Sequence, residues 1–158
     1  MTGVTAGYVA ALRAFLTGDE DTFGRLSADL QARDGGEYSG DVYSALTGMA
    51  LFLAARRRFP DGYTNADVVR LVGQVRARFA NSADDIDPRV AERVLLGVLG
   101  NAAAAPIPGP AAVAVVVPAI LSVLLEQEGI SGDGLDGFLA EARPLADAWL
   151  GANPPAPR

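Results

Sequence analysis

Two long apolar segments constrain the fold of this chain more than any other feature of its sequence. Residues 45–55 carry no charge, and their large apolar side chains point in several directions on a helix. Residues 111–125, AAVAVVVPAILSVLL, have one serine as their only polar side chain. A helix that is apolar all round belongs in the interior of a protein. Both segments therefore predict buried elements, around which amphipathic helices must pack.

The second apolar segment allows two interpretations. Its β-branched valines would suit a strand, but no other part of the chain offers a strand with which it could pair. We therefore predict a helix that is kinked at Pro118. A run of 15 residues interrupted by proline is too short to span a bilayer comfortably, so we expect no membrane partner.

The rest of the chain shows helical periodicity, with turn and capping residues between the periodic stretches. Ser39 is predicted to cap the third helix, Thr64 or Asn65 the fourth, and Asp87 the fifth. The predicted helices cover about 4–17, 20–34, 39–59, 64–81, 88–99, 110–127 and 131–152. The fold class is therefore all-α.

We predict a single-domain bundle of about seven helices over residues 1–152, in which two helices, about 39–59 and 110–127, are largely buried. The Pro/Ala-rich stretch at about 101–110 indicates a flexible linker inside this domain. Residues 153–158 indicate a disordered Pro-rich tail.

Two finer packing expectations follow from residue spacing. Gly48 interrupts the apolar third helix, and we interpret it as a point where a neighbouring helix crosses closely. The seventh helix has a 3-4-3-4 repeat that predicts its inward face. The residues of this repeat are Leu135, Phe138, Ala142, Leu145 and Trp149.

The chain contains no histidine, no cysteine and no lysine, and all thirteen basic residues are arginine. The commonest general base, the thiolate nucleophile, the Schiff-base amine and the usual zinc, copper and haem ligands are therefore missing. No glycine-rich phosphate loop or G-x-S-x-G pattern is present. We expect no catalytic residue, no cofactor and no enzymatic activity.

The acidic run Asp84-Asp85-Ile86-Asp87 is the best candidate for oxygen ligands to Mg²⁺ or Ca²⁺. Its spacing matches no calcium loop, because the glycine and the distal glutamate of an EF-hand are absent. Helix capping in a solvated loop explains the same residues, and we expect no metal site.

Charge is unevenly distributed along the chain. The net charge is −6, but residues 54–93 carry eight arginines against six acids. The acidic total predicts no binding to nucleic acid, and Asp67 counts against a recognition helix over 64–80. The segregated arginines indicate either pairing within the chain or a surface for an anion or a partner. The candidate residues of that surface are Arg57, Arg58, Arg70 and Arg78.

Two apolar helices are a large number for one small domain, so either amphipathic neighbours wrap both of them or a second copy of the chain covers one in a symmetric dimer. We expect a homodimer. The candidate interface residues on the sixth helix are Val113, Val116, Val117, Leu121 and Leu124.

These features together favour a non-catalytic helical interaction or regulatory module that self-associates. A protein partner is also compatible with them. The alternative is a helical bundle that binds a small molecule in an apolar pocket. Residues 1–18 lack the basic n-region of a signal peptide, so we expect a cytoplasmic protein. The complete use of arginine in place of lysine indicates a GC-rich bacterial genome.

Overall fold

The computed structural model of the chain describes residues 3–100 and 110–154, without the side chains at 82, 83, 110 and 111. Within these residues the chain is all-α, and they include no strand. The α-helices are α1 (Ala6–Leu16), α2 (Glu20–Asp34), α3 (Gly36–Arg58), α4 (Asn65–Arg78), α5 (Pro88–Val98), α6 (Pro110–Gln127) and α7 (Gly132–Ala152). The predicted fold class and number of helices are confirmed.

Capping side chains begin three of the helices. The side chain of Asp19 accepts a hydrogen bond from a backbone N–H in the first turn of α2. Thr64 and Asp67 exchange side-chain and backbone hydrogen bonds in a capping box at the start of α4. Asp87 caps α5, and Pro88 occupies its first position, where the missing N–H costs no hydrogen bond.

Two predicted helix boundaries are wrong. Ser39 does not cap α3, because the helix begins at Gly36 and the Ser39 hydroxyl donates instead to the Gly36 carbonyl at 3.1 Å. Gly35 has a φ of 87°, which lets the chain leave α2 and enter α3 without a loop. The fourth helix ends at Arg78, because a 3₁₀ helix over Ala80–Asp85 follows in place of the predicted loop.

The chain forms two compact units, unit 1 with Met1–Ala50 and Ser131–Arg158, and unit 2 with Leu51–Ile130. The division falls within α3, which contributes residues to both units. A single domain over residues 1–152 stays a prediction. The predicted linker lies outside the described residues except for position 110, and so does the predicted tail beyond position 154.

In unit 1, α1 packs against α2 and α7. The backbone N–H of Val4 donates to Asp147 Oδ1 at 2.7 Å, and Arg143 Nε donates to the Val4 carbonyl at 2.7 Å. Arg13, near the other end of α1, pairs with Asp136. Helices α1 and α7 are therefore antiparallel. Buried side chains of unit 1 include Tyr8, Leu12, Leu30, Val42, Leu46, Phe138, Leu139, Ala142 and Leu150.

In unit 2, helices α4, α5 and α6 pack against one another. The Gln127 side-chain amide donates to Gln74 Oε1 at 2.8 Å, which ties the last turns of α6 and α4 together. Buried side chains of this unit include Leu51, Ala54, Ala55, Val68, Leu71, Val75, Leu95, Val116, Ile120, Leu121 and Leu124. Helix α3 contributes buried residues to both units, and α6 contributes them to unit 2. The prediction that α3 and α6 are largely buried is confirmed.

The expectation of a close helix crossing at Gly48 is wrong. A Cβ atom built on Gly48 meets no atom of the described residues within 4 Å outside its own helix backbone. Sequence could not show this, because a glycine in an apolar helix has the same pattern whether a neighbour approaches it or not.

The predicted inward face of α7 is partly wrong. Leu135, Phe138 and Ala142 are buried, but Leu145 and Trp149 are 37% and 44% exposed. Asp136, Arg143 and Asp147 lie on the side of α7 that contacts α1 and Val4. The buried face of α7 is therefore turned toward Leu139, Ala146 and Leu150.

Candidate functional site

The structure places most of the predicted α6 interface inside the chain. Val116, Leu121 and Leu124 are at most 1% exposed, and Val117 is 9% exposed. Val113 is half-buried. These side chains leave little area for a second copy, so a homodimer stays a prediction and needs another surface. None of the described helices combines the length and the hydropathy needed to cross a membrane.

Two of the four residues of the predicted arginine surface are paired within the chain. Arg78 forms two hydrogen bonds of 3.0 Å to the carboxylate of Glu126, and Arg70 lies 3.5 Å from Asp67. Pairing within the chain, which was the alternative explanation, therefore accounts for these two residues. Arg57 and Arg58 are exposed at the end of α3.

Sequence reasoning missed Arg56 as a member of this surface. The guanidinium of Arg56 lies 5.4 Å from the ring centre of Phe52, and that of Arg58 lies 5.1 Å from the ring centre of Phe59. Neither arginine forms an ion pair with another described residue. The i,i+4 spacing of Phe52 and Arg56 was the available signal, because such residues share one face of a helix.

A buried tyrosine and an ion pair meet at the end of α2. The hydroxyl of fully buried Tyr8 donates to Asp34 Oδ2 at 2.6 Å, and Arg33 donates to both oxygens of Asp34 at 3.0 Å. Arg33 Nη2, which donates to Asp34 Oδ2, also donates to Thr5 Oγ1 at 3.3 Å. The hydrogen bonds from Arg33 and Tyr8 lower the pKa of Asp34 to about 2.

Two tyrosines, Tyr8 and Tyr43, are poorly suited to acid–base chemistry at neutral pH. Burial and the hydrogen bond to Asp34 raise the pKa of Tyr8 above its usual value, and burial raises the pKa of Tyr43 to about 12. A general base or nucleophile needs a lowered pKa, so both phenols remain neutral hydrogen-bonding groups.

The acidic segment near α5 is used for structure. Asp87 Oδ1 accepts from the Arg89 N–H at 2.9 Å, while Asp84 and Asp85 are exposed. Within residues 3–100 and 110–154, no three acidic side chains converge as metal ligands would.

The last turns of α7 carry an exposed strip of apolar side chains, which includes two of the large ones, Leu145 and Trp149. All five side chains are exposed, and at 100° per residue they fall within about 140° of arc. The strip comprises Pro144, Leu145, Ala148, Trp149 and Ala152. We call it the α7 strip. It contains no charged side chain, and Asp147 points away from it toward Val4.

Comparison of the chain with protein-family models, with curated proteins and with solved structures finds no match.

Proposed function

We propose that the protein is a non-catalytic interaction module that self-associates through the α7 strip. The observation that carries this proposal is the position of Trp149, the only tryptophan of the chain, which is 44% exposed one helical turn from Leu145, itself 37% exposed. Tryptophan is the residue type most often enriched at the energetic centre of protein interfaces. Elsewhere in both units, the large apolar side chains are mostly buried.

A second copy of the chain is the occupant that the strip fits. Two antiparallel copies of α7 related by a two-fold axis can place Leu145 of each copy against Trp149 of the other. The five side chains of the strip are uncharged, and the acidic residue that precedes them on the same face, Glu141, lies one turn before Leu145. Five side chains bury less than the about 800 Å² per partner of a standard interface, so we expect weak association, with a Kd on the order of 100 µM.

The single tryptophan makes the proposal directly measurable. As protein concentration rises from about 1 µM to about 500 µM, sedimentation should report a dimer and the emission of Trp149 should move to shorter wavelength as water leaves the indole. Leu145→Glu keeps the tryptophan as a probe and should abolish both changes.

Ala140→Glu is the matched control, because it places the same charge on an exposed position of α7 on the side opposite Trp149. It should dimerise as the wild type does. A wild-type chain that sediments as a monomer with constant emission over this range overturns the proposal, as does equal weakening by both variants.

A further inference from the structure

The segment that precedes α1 is held on α7 by two side chains that bind its main chain. The N–H of Val4 donates to Asp147 Oδ1 at 2.7 Å, and the Val4 carbonyl accepts from Arg143 Nε at 2.7 Å. Arg143 and Asp147 are four residues apart, so they share one face of α7. A residue of a neighbouring antiparallel strand makes the same two hydrogen bonds with its backbone. We call Arg143 and Asp147 the α7 clamp.

The two residues held at the clamp have the properties of a selected ligand. The side chain of Val4 is 2% exposed, so a branched apolar group is buried beside the two hydrogen bonds. A Cβ atom on Gly3 would lie 2.7 Å from Asp147 Oδ1, which is closer than real contacts allow. That oxygen cannot retreat without lengthening its hydrogen bond to the Val4 N–H. The clamp therefore fits a glycine followed by valine.

The contacts of this segment lie near the surface of unit 1. Arg143 and Asp147 are both exposed, and among residues 3–5 only Val4 is buried. Thr5 makes no side-chain hydrogen bond to cap α1, although its hydroxyl accepts from Arg33. Hydrogen bonds near solvent open at a lower free energy than those of a core. We therefore expect the segment to leave α7 more readily than the helices unfold.

We propose that the α7 clamp is a peptide-binding site and that Gly3 and Val4 are its tethered ligand. When this segment is displaced, the clamp binds an extended Gly-Val segment of a partner protein. Main-chain hydrogen bonds supply the affinity and the buried side chain supplies the selectivity, as they do where a peptide binds along a sheet edge.

The tether makes the site autoinhibited. The chain's own segment competes with a partner at an effective concentration on the order of millimolar, because it is attached to the same molecule. Trp149 lies about 200° round the helix from Asp147, so the clamp is separate from the α7 strip. The proposal therefore does not depend on self-association.

The test uses the full chain with Val4→Asp, which should release the segment, because it places a carboxylate at the buried position and beside Asp147. The peptide acetyl-Thr-Gly-Val-Thr-Ala-amide repeats residues 2–6, and its valine methyl signals are followed by NMR as protein is added. We expect a Kd on the order of 1 mM for this variant and binding at least about tenfold weaker for the wild type. Gly3→Leu releases the segment without adding a charge and should bind the peptide as Val4→Asp does.

Variants of the clamp and of the peptide locate the binding. Added to Val4→Asp, Asp147→Ala should abolish peptide binding, whereas Glu141→Ala, which removes the same charge from another exposed position of α7, should leave it unchanged. A peptide with N-methylvaline lacks the N–H donor and should not bind. Alanine in place of the peptide's glycine should weaken binding about tenfold.

Several outcomes overturn the proposal. They are no peptide binding by either released variant, equal binding by the wild type, and binding that survives Asp147→Ala or N-methylation. Circular dichroism checks that the released variants keep their helices. If both of them unfold, the segment is an integral part of the fold rather than a tethered ligand, and the proposal is wrong.

Discussion

At the scale of single residues, the structure separates positions that look alike in sequence. Gly48 and Gly7 both lie within helices, but a Cβ on Gly48 meets nothing among the described residues within 4 Å, whereas a Cβ on Gly7 lies 3.2 Å from Leu30 Cδ2. The first glycine costs helix propensity with no packing that requires it. The second one has a close neighbour.

Replacing Gly48 with alanine should therefore raise the free energy of unfolding, by as much as about 1 kcal/mol, because the flexible glycine backbone loses more entropy on folding than alanine does. Urea unfolding measures the change. Gly7→Ala is the comparison, and it should gain less or lose stability, because the Leu30 side chain must move. If Gly48→Ala instead lowers the free energy of unfolding, a neighbouring helix does cross closely at this position, as the sequence predicted.

Asp34 shows how one carboxylate responds to buried and charged neighbours together. Its pKa of about 2 lies below the value of about 3.9 for an unfolded aspartate. The folded state therefore gains stability from the charged carboxylate above about pH 4, and this gain is lost as the pH falls from about 4 to about 2.

Between about pH 4 and pH 2, the free energy of unfolding should fall more for the wild type than for Asp34→Asn, because asparagine cannot titrate at this position. The variant should also be less stable than the wild type at pH 6. Asp29→Asn, at an exposed position of the same helix, is the control and should follow the wild-type pH profile. Parallel profiles for the wild type and Asp34→Asn would remove the role assigned to this group.

At the scale of elements, side-chain capping explains where three of the seven described helices start, and turn glycines lie where several of them end. The capping box of Thr64 and Asp67 satisfies two backbone N–H groups at the start of α4. Ser131 occupies the equivalent position before α7, but its side chain makes no capping hydrogen bond. A residue type that favours capping therefore marks the position without guaranteeing the bond.

This difference gives a paired prediction. Thr64→Ala should lower the free energy of unfolding by about 1 kcal/mol, because it removes the acceptor for the Asp67 N–H. Ser131→Ala should change it by no more than a few tenths of that value. Thermal or urea unfolding of the two variants tests the contrast, and equal effects would show that the Thr64 hydrogen bond contributes nothing.

At the scale of the whole molecule, burial decides which apolar residues are left for a partner. Val115 and Val116 are adjacent in α6, but Val115 is 45% exposed and Val116 is 1% exposed. The sequence AAVAVVVPAILSVLL does not distinguish them. The predicted interface on α6 therefore included residues that are already buried within the chain.

Val116→Glu should abolish the cooperative thermal transition, because it buries a charge with no partner. The resulting loss in free energy of unfolding exceeds the about 0.5–3 kcal/mol of ordinary substitutions. Val115→Glu should leave both the melting temperature and the oligomeric state close to those of the wild type. Circular dichroism and sedimentation measure these outcomes. If Val115→Glu converts a dimer into a folded monomer, α6 rather than the α7 strip carries self-association.

The sequence alone determined the fold class, the number of helices and the burial of α3 and α6, because helical periodicity and capping are local and two uncharged apolar segments must leave water. It also determined the distribution of charge. Tertiary structure alone decided that Leu145 and Trp149 are exposed, that Gly48 has no close neighbour among the described residues, and that Arg78 pairs with Glu126. These properties depend on which side of a helix its neighbours cover, and a residue pattern of fixed period fits several such rotations equally well.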